Sequence, residues 1–148
     1  MTYTIIKEND VKEIALLYLD YYNNYECGCW TIDKAYKRIH QIVTIEDSYS
    51  LLQKDDNGKI CGFAIGYFKE YDDLKCYYLE EIVIFKEFQN KGYGYALLNE
   101  LERRVLEFGI EHIELLSMND EHHMHFYHKF QMYEASNLKV MGKHYKLK

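Results

Sequence analysis

Proline is absent from all 148 residues, glycine occurs only eight times and tryptophan once. With no proline to stop them, the helices must begin and end at polar caps and glycines. There is no apolar run near the roughly 20 residues that a membrane-crossing helix needs. The opening Met1-Thr2-Tyr3-Thr4-Ile5-Ile6-Lys7 lacks the basic start and apolar stretch of a signal peptide, so a cytoplasmic protein with no membrane partner is expected. Basic residues are outnumbered, 18 against 24 acidic, for a net charge of -6. That balance speaks against nucleic acid as the main partner and suits a cationic small molecule or peptide, weakly. Cysteine is sparse. Cys27, Cys29, Cys61 and Cys76 read as thiols, and Cys27-Gly28-Cys29 has neither zinc-knuckle spacing nor a second pair. Nor is there a repeat, a low-complexity tract or a linker, so one domain is expected over residues 1–148. What is present is 48% hydrophobic and 28% charged residues, the balance of a globular chain with a core.

The pattern predicts an ordered set of elements. A short strand over residues 2–7 precedes a helix in which Val11, Ile14, Leu17 and Tyr21 recur at helical spacing, with Asp10 and Glu13 as its capping box. A loop rich in Tyr, Asn, Cys and Gly follows from Tyr22 to Trp30. Thr31 caps a second helix with Ala35, Ile39 and Ile42 on one face. Strands are expected over 48–53 and 59–68, joined at Asn57-Gly58, and over 76–84 after a turn at Tyr71-Asp72-Asp73. A long helix from Gly92 to Phe108, with Gly109 as its C-cap, leads to a strand over 111–117, a helix over 121–130 and two terminal strands near 131–136 and 139–147. This order predicts a mixed α/β fold with a central sheet covered on both sides by helices.

The chemically informative stretch runs from Glu81 to Leu98. An apolar strand ends, a polar loop turns, and Gly92-Tyr93-Gly94 opens a long amphipathic helix. Glycines there let backbone N–H groups approach an anion, and the helix N-terminus adds roughly half a positive charge, so phosphate is the expected guest. Lys91 adds a cation beside it. The Walker pattern is missing, and Leu97 stands where a dinucleotide fingerprint needs its third glycine.

Gln89-x-x-Gly92-x-Gly94 after a strand resembles the signature of the GNAT family of N-acetyltransferases. The likeness is clearest from about Tyr77 to Tyr133. It implies a GNAT-like, mostly antiparallel central sheet and acetyl-CoA as co-substrate. It further implies that the loop Gln89, Asn90, Lys91, Gly92, Tyr93 and Gly94 holds the CoA pyrophosphate, and that Ile82, Val83 and Ile84 pair their main chain with the pantetheine arm. Asp120 to Tyr127 is similar to the family's Asn-x-x-Ala-x-x-Phe-Tyr, which places Tyr127 near the CoA sulfur and gives Asp120 a CoA contact. Asp120 departs from the usual Asn, His123 and Met124 do not restore the usual Ala, and Phe130-Gln131-Met132 replaces Leu-Gly-Phe. Tyr77-Tyr78-Leu79-x-Glu81 and the loop after it also look similar to aminoglycoside 6'-N-acetyltransferase-like members.

An alkyl amine near the lysine pKa is about 99.9% protonated at pH 7, and neutralising it costs roughly 4 kcal/mol. A general base is therefore expected by the amine. Glu81 is the candidate, with Tyr127 as the acid that protonates the departing thiolate and the backbone N–H of Val83 or Ile84 as oxyanion donor. Strand alternation puts Glu80 on the face opposite Glu81, so that one of the two should meet the acceptor. Tyr22, Trp30 and Glu80 are candidates for acceptor binding, in an aromatic and acidic cleft suited to a small-molecule amine. His122, His123, His125 and His128 tempt a metal reading, but a solvated helix face explains them better, and no metal is expected. The competing readings are a non-catalytic acyl-CoA sensor and a peptide or protein N-terminal acetyltransferase. Homodimers are common in the family the chain resembles, though no segment here predicts an interface.

Overall fold

The computed structural model describes residues 1–146, which form two compact units, Met1–Leu116 and the segment from Ser117 onward. The first unit runs β1 (Thr2–Ile5), α1 (Val11–Tyr25), α2 (Ile32–Thr44), β2 (Leu51–Lys54), β3 (Ile60–Glu70), β4 (Lys75–Ile84), α3 (Tyr93–Leu106) and β5 (His112–Leu115). Its five strands lie side by side in the order β1-β2-β3-β4-β5, antiparallel except for the parallel pair β4–β5.

The caps explain where the helices start. Thr31 Oγ1 accepts the Lys34 N–H at 3.3 Å, and Ala35, Ile39 and Ile42 of α2 are buried as their spacing predicts. At α1 the capping differs from the expected Asp10–Glu13 box. Asp10 instead reaches back to the Lys7 N–H at 2.8 Å, closing a 3-10 turn over Glu8–Asp10 that leads into the helix. The Asp55 carboxylate accepts both the Asn57 and Lys59 N–H groups at 2.9 Å, and Gly58 takes φ +81, which fixes the β2–β3 hairpin.

Helices α1 and α2 cover one sheet face. Val11, Ile14, Ala15, Tyr18, Ala35 and Ile39 form a single buried cluster with Leu52, Cys61, Phe63, Ile65 and Val83. Gln53 points the other way, since side chains alternate, and it donates to the Tyr93 carbonyl in the first turn of α3 at 3.1 Å. Helix α3 therefore lies on the opposite face, burying Leu97, Leu98, Leu101 and Val105.

In the second unit, α4 spans Glu121–His128. The two terminal strands expected near 131–136 and 139–147 do not form over the described residues; only residue 147 of that prediction lies outside them. Apolar side chains alone do not make a strand. Val140 and Met141, 76% and 87% exposed, bury nothing that would offset the entropy of fixing an extended backbone.

Candidate active site

Strand β4 carries the site through two local irregularities. The first is a bulge. Ile65 of β3 faces Glu81, whereas its neighbour Gly66 faces Leu79, so Glu80 is the extra residue. A side chain at Gly66 would collide with the Tyr78 carbonyl and the Tyr77 ring, so only glycine permits β3 to follow the kink. The bulge overturns the expected alternation of the two carboxylates. Both reach the same guanidinium: Arg38 Nη1 of α2 meets Glu80 Oε1 at 2.8 Å and Nη2 meets Glu81 Oε2 at 3.3 Å.

The second irregularity is a parting of strands. β5 pairs with β4 only from Cys76–His112 to Leu79–Leu115. From Glu80 to Ile84, β4 has no strand on that side among the described residues. The Phe85 N–H donates to the Cys61 carbonyl at 2.9 Å, which sets the parity of the β3–β4 ladder. Glu81 and Val83 turn their backbone groups toward β3, and Ile82 and Ile84 turn theirs into the opening. Val83 is thereby corrected as an oxyanion donor, because its N–H belongs to the ladder. Ile82 and Ile84 keep the outward-facing amides.

Glu81 is enclosed, with 14% of its side chain exposed. The Tyr22 hydroxyl donates to Oε1 at 2.9 Å and the Tyr18 hydroxyl to Oε2 at 3.4 Å. Burial first, then the Glu81 charge, pushes both hydroxyls above the ordinary tyrosine range, so both keep their protons and act as donors. Burial alone would lower the Arg38 pKa, but the Glu80 hydrogen bond and both carboxylate charges outweigh it and raise the pKa. Trp30 stands over this group, its ring 5.0 Å from Tyr18 and 6.4 Å from Tyr22. It is held by Asn23, which accepts the Trp30 N–H at 2.7 Å and donates to its carbonyl at 2.9 Å. The structure thus brings Tyr22, Trp30, Glu80 and Glu81 together, and adds Arg38 and Tyr18. Arg38 carried no signal at all, because its role depends on how α2 docks.

The loop after β4 is built from backbone. Phe88 is buried at the end of a 3-10 turn, Lys86–Phe88. Gln89 Nε2 then donates both to the Ile84 carbonyl at 2.8 Å and to the Tyr21 hydroxyl at 2.9 Å, which ties the loop to the strand end and to α1. Tyr21, pushed up to about 12 chiefly by burial and then by its bond to Glu26, also stays protonated. Asn90 and Gly92 take φ +58 and +85, and Gly92 is the N-cap of α3. Asn tolerates this left-handed conformation and Gly takes it freely. The N–H groups of Tyr93 and Gly94, the first two residues of α3, face out of the helix end, which is the donor set an anion needs. Lys91 Nζ is bound to the Glu87 carbonyl at 2.7 Å. An unpaired strand stretch followed by a left-handed turn and open helix amides fits an extended CoA with its pyrophosphate at α3.

In the second unit, Asp120 is the N-cap of α4. Its carboxylate accepts the His123 N–H at 2.9 Å and lies 2.7 Å from His123 Nδ1, and the first of these contacts holds it below the usual carboxylate range. Burial pushes the Tyr127 hydroxyl up to about 12, and its ring sits 5.1 Å from that of Phe126.

A mixed sheet that parts beside a glycine-capped helix defines the architecture of an acetyltransferase. The chain belongs to the acetyltransferase (GNAT) family, whose model matches residues 11–132. Similar solved structures cover essentially the whole chain. A probable acetyltransferase has 14% identity and a TM-score of 0.81, with 100% of both chains covered. A ribosomal-protein-alanine N-acetyltransferase from Brucella melitensis biovar Abortus 2308 has 17% identity and a TM-score of 0.75, covering 98% of this chain and 100% of that one. An aminoglycoside acetyltransferase from an uncultured soil metagenomic sample, in complex with trehalose, has 19% identity and a TM-score of 0.73, covering 99% and 96%. At these identities the likeness is one of fold. A search of curated proteins finds no match.

Proposed function

We propose that this protein is an N-acetyltransferase that moves acetyl from acetyl-CoA to a primary amine of a small cationic acceptor. The observation that carries this reading is the enclosed Glu81 carboxylate, set by the β4 bulge at the start of the unpaired stretch that would hold the thioester arm.

Residues Gln89 to Gly94 bind the pyrophosphate, and the outward amides of Ile82 and Ile84 bind the arm and the carbonyl oxygen. The acceptor enters beside Trp30 and Tyr22 as an ammonium. Glu81 takes one proton from it, through Oε2, whose two contacts are the long ones at 3.3 and 3.4 Å. The neutral amine adds to the thioester carbon, and the oxyanion meets an amide of the unpaired stretch. The C–S bond then breaks, the thiolate takes a proton from Tyr127, the second nitrogen proton of the adduct passes to water, which reprotonates Tyr127, and Glu81 releases its own proton to solvent. Glu80 holds Arg38, and Arg38 with the two tyrosines fixes the rotamer of Glu81. The net charge of -6 agrees with a cationic acceptor.

A second reading is a non-catalytic acyl-CoA sensor, favoured by the same Arg38 contact, since a carboxylate held by a guanidinium is hindered as a base. Calorimetric titration with acetyl-CoA, with ATP and NAD as controls, tests the donor site. Thiol release with a panel of aminoglycosides, polyamines and peptide amino termini then separates enzyme from sensor. Micromolar acetyl-CoA binding with amine-dependent thiol release supports the enzyme. Binding without release for any amine supports the sensor, and no binding removes both.

A further inference from the structure

The parallel pair β4–β5 holds a group of side chains that acetyl transfer does not use. Cys76 and His112 are direct partners in the ladder, and Glu114 lies two residues further along β5. Side chains alternate along a strand, so His112 and Glu114 share a face, and the register brings Cys76 beside them. Their donor atoms, one sulfur, one ring nitrogen and one carboxylate oxygen, all lie within 4.8 Å of one another. Cys76 is fully buried, while His112 and Glu114 are half-buried and open toward solvent.

We propose that Cys76, His112 and Glu114 form a binding site for a divalent cation of the zinc class, a clamp across β4 and β5 just before the strands part. The donor set decides the class. A thiolate with an imidazole and a single carboxylate suits a borderline ion such as zinc and does not suit magnesium or calcium, which take oxygen shells. Three protein ligands leave a fourth position for water. The ligands come from neighbouring strands that share only four residue pairs, so the ion ties the short edge strand β5 to the centre of the sheet. Lys69 is the built-in competitor. Its ammonium meets Glu114 Oε1 at 2.8 Å and lies 4.2 Å from the centre of the Tyr78 ring, and the Tyr71 hydroxyl donates to the same Oε1 at 3.3 Å. An ion at the site therefore binds Glu114 through Oε2 or breaks the Lys69 contact to Oε1, leaving the ammonium on the Tyr78 ring alone. Either way the lysine's charge opposes the cation.

The test uses the full chain, stripped of metal and kept reduced, titrated with Co(II) in place of zinc. One equivalent is expected to give a thiolate-to-cobalt charge-transfer band in the near ultraviolet, which added zinc bleaches. Cys76→Ser is expected to remove the band, and His112→Ala to weaken cobalt binding at least tenfold. Lys69→Gln is expected to tighten it several-fold, a result that a chance surface contact would not give. Because Cys76 is buried, circular dichroism checks the fold of Cys76→Ser, and Glu114→Gln, with a weaker band in a folded chain, carries the test if that variant does not fold. The exposed thiols of Cys27 and Cys29 are the rival site, so the double serine variant at those positions must keep the band. No charge-transfer band in the reduced wild-type protein, or a band that survives Cys76→Ser and vanishes in the Cys27/Cys29 variant, overturns the proposal.

Discussion

The glycine loop and the carboxylate pair lie a few residues apart on the same strand and turn, yet they are built by different means. From Gln89 to Gly94 the working groups are backbone amides, and their direction follows from two left-handed residues and the start of a helix. At Glu80 and Glu81 the working groups are side chains, and their direction follows from a bulge, a glycine on the next strand and an arginine on a helix. A backbone site is specified by local spacing. A side-chain site is specified by register and docking, so it is sensitive to changes far away in sequence.

The largest expected effect separates the two regions directly. Glu81→Gln keeps the shape and one acceptor oxygen for the tyrosines but removes the base, so kcat with the best amine of the panel should fall about 10²- to 10⁴-fold. Acetyl-CoA affinity by calorimetry should hold within about twofold. Retained kcat with an unchanged pH profile would remove Glu81 from catalysis. Gly92→Ala is the mirror experiment. A non-glycine residue at φ +85 costs about 1–2 kcal/mol, which corresponds to roughly a tenfold loss in acetyl-CoA affinity if the strain is borne by the bound loop. The base is untouched, so kcat at saturating donor should hold.

Arg38→Gln probes how far the carboxylates depend on docking. It leaves Glu80 and Glu81 side by side without their shared cation. The pair is about a third exposed on the arginine side, so solvent screening limits the loss to roughly 1 kcal/mol, read as a lower urea midpoint. If Arg38 only positions, Arg38→Lys recovers most of the stability and part of kcat. If Arg38 instead blocks the base, as the sensor reading holds, Arg38→Gln raises the rate of thiol release.

This contrast explains what was legible in the sequence. The element order from β1 to α4, the Thr31 cap, the hairpin at Gly58 and the glycine loop were all predictable, because each rests on residues within one turn of one another. The opposite-face placement of Glu80 failed, because strict alternation assumes an unbroken ladder and the bulge signal, Gly66, sits on another strand. Val83 failed as an oxyanion donor for a related reason, since ladder parity is set by how β4 registers against β3. Arg38 and Tyr18 are 43 and 63 residues from Glu81 along the chain, and no local pattern joins them. The terminal strands failed because an apolar, β-prone segment still needs a ladder partner.

The smallest effect decides whether acid loss of activity can be read as chemistry. Glu100 lies on α3, more than one turn beyond Gly94, and is bound by Arg103 at 2.9 Å and Arg104 at 2.6 Å. The Arg103 bond first, then Arg104, holds its carboxyl down at about 2. Its folded pKa is depressed, so its contribution to stability is fully present above the unfolded value near 4.3 and is lost as pH falls from there toward about 2. The contribution is small, below about 1 kcal/mol, as for most exposed helix pairs. Urea midpoints of the wild type should therefore fall below pH 4.3, and Glu100→Gln, which lacks the contribution at every pH, should start slightly lower at pH 6 and show a flatter fall below pH 4.3. Activity that declines between pH 7 and 5 cannot come from this pair, so a decline there in both proteins belongs to the reacting groups. If Glu100→Gln shifts the activity profile in that window, α3 is coupled to the site, and the separation between a locally built loop and a remotely assembled base no longer holds.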